Sequence, residues 1–544
     1  MKNFLGQLSL RSRYVFALIA GLALAAAFPK MSLAGLAWVA PALMLASAHG
    51  KSGGDTFRTG YVAGLAFWLA SLYWLLLIPF RWLGIPFGPA LGWMALSAYL
   101  ALYPAMWVWI VSRVPGVPDS WFRRSGWALS GAAAWVALEM IRARLFGGFP
   151  WNFIGSSQYQ LTPLIQIASA TGVYGVSFLV VWTSLALFSA AREILRQPAN
   201  RHAWLGEIIL PLASLVAVFA FGLGRLRERS GGGPTLRVTF IQPAIPQTMI
   251  WDDAAADQRF DELLQLTQLA LTNHPDLLLW PEAAVPHKLR YDEPTLLAVT
   301  ALAQSNHLWI ILGSDDKEPA RHPRHEGEAD YFNASFLVAP NGALAQRYCK
   351  RNLVIFGEYV PFSRALPFLK WLSGSSDASD FSPGDKPETF VLDRGAPVRT
   401  STLICFEDTF PHLVREYAEA DTDFLVNLTN DGWFGESAAQ WQHASGAVFR
   451  AVENGLPLLR CCNNGLTCWI DARGRLRETL RDPTGSEYGA GVLTAQIPVL
   501  APDELRARTF YNRRGDWFGW TCVALTGAAV VNSKLKKPKR KTIT

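Results

Sequence analysis

Long apolar stretches separated by short polar loops fill the first part of the chain, and one more apolar stretch lies near its end. A helix of about 20 apolar residues crosses a hydrocarbon core about 30 Å thick, and shorter helices are accommodated by local thinning. The pattern predicts eight membrane-spanning helices, seven before a polar block and one after it. The predicted spans are Tyr14 to Phe28, Leu33 to Ala48, Gly60 to Ile78, Phe87 to Val111, Trp127 to Ile141, Gly172 to Ala190, Trp204 to Leu223 and Trp517 to Val531.

The polar block extends from Thr235 to about Pro498 and follows a Gly-rich linker, Ser230 to Pro234. Short β-rich runs recur in the block, and a helical periodicity appears between some of them. The runs are LRVTFIQ, DLLLW, LWIILG, ASFLV, TSTLIC and DFLVNLT, and the helical segment is RFDELLQLTQLALTN. This pattern predicts a layered α/β domain. We expect a membrane domain at 1–229, the α/β domain at 235–498, and the last span with a basic tail at 509–544.

The composition supports two different environments in one chain. Of the 544 residues, 51% are hydrophobic and 17% are charged, which is too apolar for an ordinary soluble protein. Basic residues are divided unequally between the two sides of the predicted spans, with 17 Lys and Arg on one side and 4 on the other. The positive-inside rule then places both termini in the cytoplasm and the polar block outside.

The net charge of +7 does not require a nucleic acid partner. The basic tail LKKPKRK directly follows a membrane span, so anionic lipid headgroups account for it. Five of the six cysteines lie in the polar block, and no CxxC pair of the metal-binding kind occurs. We therefore expect no nucleic acid and no metal, while a disulfide within the block stays open.

Three residues of the block are the parts of a nucleophilic acyl-transfer site: Glu282 in LWPEAAVP, Lys350 in RYCKRNL and Cys405 in TLICFED. Pro281 cannot extend the strand before it, so Glu282 is expected just past a strand end, and Cys405 follows another apolar run. Strand ends are rigid and can hold such groups in register. Cys405 would be the nucleophile, Glu282 the proton carrier and Lys350 the stabiliser of the oxyanion. Each residue alone has a plainer explanation, as a core thiol or a solvated surface charge.

Three segments, WPEAAVP, YCKRNLVIFGEYVPF and LICFED, resemble the signature segments of the nitrilase superfamily, whose Glu-Lys-Cys site is built on an α-β-β-α sandwich. With several spans before this domain and one after it, the chain resembles the family of bacterial apolipoprotein N-acyltransferases over nearly its whole length. Further matching segments are GFPW at 148–151, QPAIPQ before Trp251, Tyr331 to Asn333, and RGDW at 514–517. The resemblance implies a polytopic α-helical domain in the bacterial inner membrane and a nitrilase-like catalytic domain in the periplasm.

By this resemblance the three candidate residues match the catalytic triad of the family. The positions that the family uses in or near its pocket are occupied here by Glu358, Glu407, Trp251 and Asn333. Two of these residues have a plainer alternative. Trp251 could be a core or membrane-facing indole, and Glu407 could simply fix the backbone after the nucleophile.

Phe406 departs from the family, which usually has Tyr after the catalytic Cys. If that hydroxyl donates a hydrogen bond in the reaction, Phe406 removes the donor, whereas little changes if the ring only packs. Cys349 is a second thiol, next to Lys350. We prefer Cys405 as the nucleophile because Cys349 lacks the strand-end setting and the Glu-Asp pair that follows Cys405.

Two features suggest how lipid reaches the site. The segment after Glu358 is read as a membrane-contacting arm or lid, with a core-packed loop as the alternative. Its large apolar residues are Phe362, Leu366, Phe368, Leu369, Trp371 and Leu372. Arg142 and Arg144, beside GGFPW, are expected on the exported face, where they would hold a lipid phosphate or only extend to the interface.

The resemblance implies a two-step reaction without a cofactor. A glycerophospholipid, expected to be phosphatidylethanolamine, would acylate Cys405, and the N-terminal amine of a diacylglyceryl-cysteine apolipoprotein would then take the acyl chain as an amide. The partners are therefore a phospholipid donor, a diacylated apolipoprotein and membrane lipid. Two alternatives remain: a membrane-tethered amidase in which water resolves the thioester, and a transporter or scaffold that only binds lipoproteins.

Overall fold

The computed structural model describes residues 10–51, 53–79, 87–113, 120–228, 233–250, 252–321, 327–361, 380–502 and 504–535. These residues form two compact units. The helical unit comprises the described parts of Met1–Tyr73, Gly92–Arg227 and Arg514–Thr544, and the sheet unit comprises those of Trp74–Leu91 and Glu228–Arg513. The last helix therefore groups with the helices that precede the polar block.

Twelve helices of at least eight residues lie in the described part of the chain. They are α1 Leu10–Ala26, α2 Ala40–Ser47, α3 Gly54–Ser71, α4 Gly88–Leu100, α5 Leu102–Ser112, α6 Trp121–Arg142, α7 Val173–Arg196, α8 Leu205–Arg227, α9 Ala256–Leu271, α10 Glu293–Asn306, α11 Ala439–Asn454 and α12 Trp517–Leu535. Single-turn helices lie at Thr162–Ile165, Ala168–Thr171, Gln247–Ile250, Pro411–Val414 and Phe510–Arg514.

Helices long and apolar enough to cross a membrane are present, but the predicted number of eight is supported only in part. Within the described residues, three helical stretches are long and apolar enough to cross a membrane: Gly88–Ser112, Val173–Arg196 and Leu205–Arg227. Two shorter apolar helices, Ser12–Ala26 and Trp517–Val531, overlap the first and last predicted spans.

The second predicted span, Leu33 to Ala48, is not one continuous helix. It divides into a 3-10 helix, Ala34–Trp38, and the eight-residue helix α2. At 1.5 Å per residue α2 is only about 12 Å long, which is too short for a hydrocarbon core. Seven of its eight residues are buried, so its apolar character serves packing inside the helical unit.

A buried ion cluster ties three helices together. Arg124, in the first turn of α6, is 1% exposed and donates through Nε to Glu207 of α8. Its Nη1 lies 3.8 Å from Glu193 Oε2, near the end of α7. Burying two carboxylates is tolerated here because a guanidinium offers several donors in a fixed planar geometry.

The sheet unit contains twelve strands in two six-stranded sheets. The strands are β1 Thr235–Gln242, β2 Leu277–Leu279, β3 Trp309–Pro319, β4 Ala329–Val338, β5 Leu344–Cys349, β6 Thr389–Asp393, β7 Pro397–Ile404, β8 Phe424–Thr429, β9 Leu458–Cys462, β10 Cys468–Ile470, β11 Leu476–Thr479 and β12 Gly491–Pro498. The first sheet has the order β12-β1-β2-β3-β4-β5, and the second has the order β11-β10-β9-β8-β7-β6.

Both sheets are built in the same way. Three parallel strands form the centre of each, β1-β2-β3 in the first sheet and β7-β8-β9 in the second, and antiparallel strands flank them. Each of the six runs predicted as strands overlaps an observed strand, and the predicted helical segment lies mostly within α9. Those predictions of secondary structure are therefore confirmed.

The layers follow the order helix, sheet, sheet, helix. Helices α9 and α10 pack their apolar residues, such as Leu263 and Val299, on the first sheet around Leu278 and Ile310. Helix α11 contacts β9 and β10 of the second sheet, while β1 contacts β9 and β4 contacts β7 between the sheets. The central parallel strands β2 and β8 are covered on both faces and are fully buried. Strands buried on both faces have continuous apolar sequences, as these two do.

Candidate active site

Glu282 lies just beyond the end of the central strand β2. The buried Trp280 and Pro281 follow the strand, and Ala283 adopts a positive φ of 49° that turns the chain away. Strand β3 approaches this turn closely at Gly313, where an added Cβ would lie 2.8 Å from the Glu282 Cα. Only glycine fits there, so the first sheet is built to hold the backbone of Glu282 against β3.

Cys405 lies directly after β7, at the start of a 3-10 helix, Cys405–Thr409. Its φ of +53° is in the left-handed region, which is costly for a residue with a Cβ. Asn427, on the neighbouring strand β8, donates its Nδ2 to the Cys405 carbonyl oxygen at 3.0 Å. The sharp turn and this bond set the thiol at the end of the second sheet.

Lys350 lies directly after β5 and is 1% exposed. Its backbone N–H donates to the Asn333 carbonyl at 2.9 Å, which continues the pairing of β5 with β4. The ammonium Nζ donates to Glu358 Oε1 at 2.8 Å and lies 3.4 Å from Glu282 Oε1. A buried ammonium is stable only when paired, and here two carboxylates pair with it.

Asn333 joins the two glutamates. Its Nδ2 donates to Glu282 Oε1 at 2.8 Å and to Glu358 Oε1 at 3.0 Å. Glu358 is itself held by its own loop, because its Oε2 accepts from the Val354 N–H at 2.7 Å. The structure thus brings Glu282, Lys350, Glu358 and Asn333 into one hydrogen-bonded cluster.

The electrostatics of the cluster raise the pKa of both the Cys405 thiol and the Glu282 carboxyl. Burial raises the pKa of the Glu282 carboxyl, with Lys350 opposing and Glu358 adding to the rise. Burial alone would lower the pKa of Lys350, but Glu358 and Glu282 outweigh it, and the pKa is raised. Burial, with a contribution from Glu282, raises the pKa of the Cys405 thiol well above its ordinary value.

The two carboxylate oxygens of Glu282 have different surroundings. Glu282 Oε2 is buried and accepts no hydrogen bond from the described residues. The Cys405 thiol acts on the pKa of Glu282 as a hydrogen-bond donor. A carboxylate with one oxygen bound to Asn333 and Lys350 and the other without a hydrogen bond from the described residues can accept a proton from a nearby thiol.

Glu407 connects the two segments that carry Lys350 and Cys405. Its Oε1 accepts from the backbone N–H groups of Arg351 and Asn352 at 2.8 and 3.1 Å, and its Oε2 accepts from that of Ile404 at 2.8 Å. The Tyr348 hydroxyl lies 2.8 and 2.9 Å from the two oxygens. Glu407 is fully buried, and its contacts are those of a group that fixes backbone.

Phe406, which departs from the family, and the second thiol, Cys349, are both packed against neighbouring residues. The Phe406 ring packs edge-on against Phe410, with 5.1 Å between ring centroids. Cys349 is half-buried in β5, and burial raises the pKa of its thiol to about 11. All six cysteines lie within the described residues and are free.

Arg142 is placed differently from the prediction. It is 3% exposed, and its Nη1 donates to the Phe149 and Trp151 carbonyl oxygens at 2.8 and 2.6 Å. The guanidinium therefore folds the GGFPW turn onto α6 and is not presented to a lipid phosphate at a surface, which corrects the expected role. Arg144 pairs with Asp516 of the RGDW segment.

Other predicted features lie outside the described residues. These are Trp251 and the apolar residues of the arm, Phe362, Leu366, Phe368, Leu369, Trp371 and Leu372. Over the described ranges, no group of three or more His, Cys, Asp or Glu has an arrangement that could hold a metal ion.

A buried charge network next to the segment after Cys405 was not predicted from the sequence. His443, on α11, lies with Nε2 2.7 Å from Asp408 and with Nδ1 2.8 Å from Asp431, and Arg460 pairs with both aspartates. Burial opposes protonation of His443, but Asp408 outweighs it and raises the pKa to about 9. The pair of acidic residues after Cys405 was the only sequence signal, since the partners come from distant strands and helices.

The comparisons with known proteins agree with this architecture. Residues 237–501 match the family described as Carbon-nitrogen hydrolase, and residues 20–186 match the Apolipoprotein N-acyltransferase N-terminal domain. A protein from Geobacter metallireducens named Apolipoprotein N-acyltransferase is 38% identical over 96% of this chain and 95% of its own length. Proteins of the same name from Chlorobaculum tepidum and Vibrio cholerae are 29% identical over 96% of each chain and 32% identical over 85% of this chain and 86% of theirs. The chain belongs to the apolipoprotein N-acyltransferase family.

Among solved structures, an amidase from Nesterenkonia sp. is similar over 50% of this chain and 94% of its own length. Its sequence identity is 18% and its TM-score is 0.34, which is too low to add to the assignment.

Proposed function

We propose that this protein transfers a fatty acyl chain from a glycerophospholipid to the N-terminal amine of a diacylated apolipoprotein, through a thioester on Cys405. The observation that carries the proposal is the hydrogen-bonded cluster of Glu282, Lys350 and Asn333 at the strand ends near Cys405, whose thiol pKa is raised by burial and by Glu282. Membership of the N-acyltransferase family supports the substrate class.

In the first step the ester carbonyl of the phospholipid is attacked by sulfur. Glu282 takes the thiol proton as the bond from sulfur to carbonyl carbon forms, and the Lys350 ammonium stabilises the negative oxygen of the tetrahedral intermediate. The ester C–O bond then breaks, and Glu282 returns the proton to the leaving alkoxide of the lysophospholipid. Because the thiol is neutral at rest, the proton transfer accompanies attack.

In the second step an amine replaces sulfur on the acyl carbon. The free amine attacks the thioester, its nitrogen passes one proton to Glu282, and the C–S bond breaks. Glu282 returns that proton to the Cys405 thiolate, so the site is restored and an amide is released. Glu358 and Asn333 keep Glu282 and Lys350 aligned through both steps, and Glu407 positions the segments beside them.

The finer assignments belong to the same proposal. Phosphatidylethanolamine is the donor, the membrane domain at 1–229 and the last span at 509–544 cross the inner membrane, and the catalytic domain at 235–498 between them faces the periplasm. The unequal distribution of basic residues supports this orientation. The arm with Phe362 and Trp371 and the indole of Trp251 are proposed to contact lipid.

The test follows the acyl group. Purified full-length protein is incubated with phospholipid that carries a labelled acyl chain, and the Cys405 peptide is analysed by mass spectrometry before and after addition of an N-terminal diacylglyceryl-cysteine peptide. We expect an acyl adduct on Cys405 that moves to the peptide amine, and no adduct in Cys405→Ser. Cys349→Ser is the matched control and should retain the adduct. Absence of an acyl adduct together with ready hydrolysis of small amides would refute the proposal and favour an amidase.

A further inference from the structure

Asp315 is a carboxylate near the catalytic cluster that takes no part in the two reaction steps proposed above. It lies on β3 directly opposite Asn333 of β4. Residues that face each other across antiparallel strands project from the same side of the sheet, with Cβ atoms about 5 Å apart. Because Asn333 donates to both Glu282 and Glu358, this pairing puts Asp315 on the side that carries the catalytic cluster.

The alternation of side chains along β3 leads to the same placement. Gly313, two residues before Asp315, faces the backbone of Glu282. Side chains two apart on a strand share a face, so Asp315 projects beside the Glu282 turn. Asp316 projects from the opposite face and is paired there with Arg290 and Arg347.

The two adjacent aspartates therefore differ in their hydrogen-bond and ion-pair partners. Asp316 is fully buried and bound by two guanidinium groups. Asp315 is partly exposed, yet its Oδ1 is enclosed and accepts no hydrogen bond from any described residue. An enclosed carboxylate oxygen without a donor is unfavourable, and a cation brought by a substrate would relieve it.

The charges around Asp315 also favour a cationic ligand. Burial raises the pKa of Asp315 to about 7; Lys288 opposes the rise, and the nearby carboxylates Glu282, Glu358 and Asp316 add to it. The Lys288 ammonium lies 5.5 Å from the centroid of the Tyr331 ring. On the catalytic face Glu282 and Glu358 pair with the buried ammonium of Lys350, and Asp315 adds a further carboxylate near these two.

We propose that Asp315 binds the protonated α-amine of the acceptor and removes its first proton, so that Asp315 is a catalytic base for the second half of the reaction. The proposal rests on the proposed function, because a terminal α-amine is mostly an ammonium near pH 7 and cannot attack a thioester in that form. Asp315 takes one proton from the ammonium, the free amine attacks, and Glu282 carries the second proton from nitrogen to the thiolate. Asp315 then releases its proton to solvent on its exposed side.

The experiment separates the two half-reactions. Asp315→Asn enzyme is acylated with labelled phospholipid, and the thioester on Cys405 is then chased either with the diacylglyceryl-cysteine peptide or with hydroxylamine, which is uncharged at neutral pH. Asp261→Asn, an exposed carboxylate on α9, is the matched control. We expect thioester formation and hydroxylamine cleavage at wild-type rates in D315N, and transfer to the peptide slowed at least about tenfold at pH 7, since general bases contribute about 100-fold or more.

The pH profile gives a second readout. Asp315 is a base only above its pKa of about 7, so wild-type transfer should rise through pH 7 and then level off. In D315N the rise should follow the amine itself, at about pH 7.7–8.0. Equal peptide-transfer rates in D315N and wild type, or equal slowing with peptide and hydroxylamine, would overturn the role of Asp315. A wild-type enzyme that forms no thioester would instead refute the proposed function, and with it this inference.

Discussion

Replacing Glu407 by Gln tests whether one buried carboxylate aligns the two halves of the site. Glu407 accepts hydrogen bonds from the backbone just before Cys405 and from the two residues after Lys350. The Gln side chain has nearly the same shape, but its NH₂ group must face at least one of these backbone donors. We expect E407Q to fold and to hold Lys350 and Cys405 less accurately.

The magnitude follows from the bonds that are lost. The least costly orientation of the Gln side chain puts its NH₂ group toward Ile404. The buried N–H of Ile404 then has no acceptor, and the remaining hydrogen bonds are accepted by a neutral amide oxygen where a charged carboxylate accepted them before. Hydrogen bonds to a charged group contribute about 1.5–3 kcal/mol each, so the free energy of unfolding should fall by about 2–4 kcal/mol. A displacement approaching 1 Å between nucleophile and oxyanion stabiliser slows such reactions by up to about 100-fold.

The assay measures both effects on the same samples. Thermal unfolding in detergent gives the change in midpoint, expected to be a decrease of about 3–7 °C, and single-turnover acylation of Cys405 gives the rate. Glu416→Gln is the control, because Glu416 also contacts this region, through Arg351 at 2.9 Å, but its side chain is 44% exposed. If E407Q formed the thioester as fast as E416Q and wild type, Glu407 would have no role in alignment.

Three further predictions concern the network, the helical unit and the departure from the family. His443 has a pKa raised to about 9, so its charge stabilises the fold fully below about pH 6.5, and this stabilisation is lost as the pH rises through 9. The thermal midpoint of the wild type should therefore fall between about pH 6.5 and 9 more than that of H443Q. Parallel curves of midpoint against pH for the two proteins would contradict this. Arg124→Ala leaves Glu207 buried without its guanidinium, while Glu193 keeps Arg196. The substitution should cost about 3–5 kcal/mol, seen as a lower midpoint in detergent, and an unchanged midpoint would show that the cluster is not stabilising. Because the Phe406 ring packs, F406Y should change the acylation rate less than about threefold, and a gain of about tenfold, or 1.4 kcal/mol, would show that the hydroxyl matters.

Local patterns in the sequence predicted six of the twelve strands described in the sheet unit. The apolar runs before Glu282 and Cys405 are β2 and β7, so the strand-end settings of both residues could be read from neighbouring positions. Buried parallel strands have few polar residues, and Pro281 marks where one of them ends. These signals lie within a few residues of each other along the chain.

Partners far apart in sequence could not be predicted in the same way. Glu407 accepts from a backbone N–H 56 residues away, and Asp315 faces Asn333 only because of the register between β3 and β4. The second predicted span failed for a related reason, because apolar composition does not distinguish burial in lipid from burial against protein. Arg142 likewise has a charge suited to phosphate, but the fold uses it to bind two carbonyl groups.

The pairing of β1 with β12 has a consequence for how the protein is made. Strand β1 ends at Gln242, and its antiparallel neighbour begins at Gly491, about 250 residues later. At a synthesis rate of about 5–20 residues per second, the outer edge of β1 stays unpaired for about 12–50 s after it emerges. Such an edge is a template for association with other chains, so the nascent protein is vulnerable to aggregation throughout that interval. Truncation before Gly491 would therefore leave the first sheet permanently open and would not merely remove a peripheral segment.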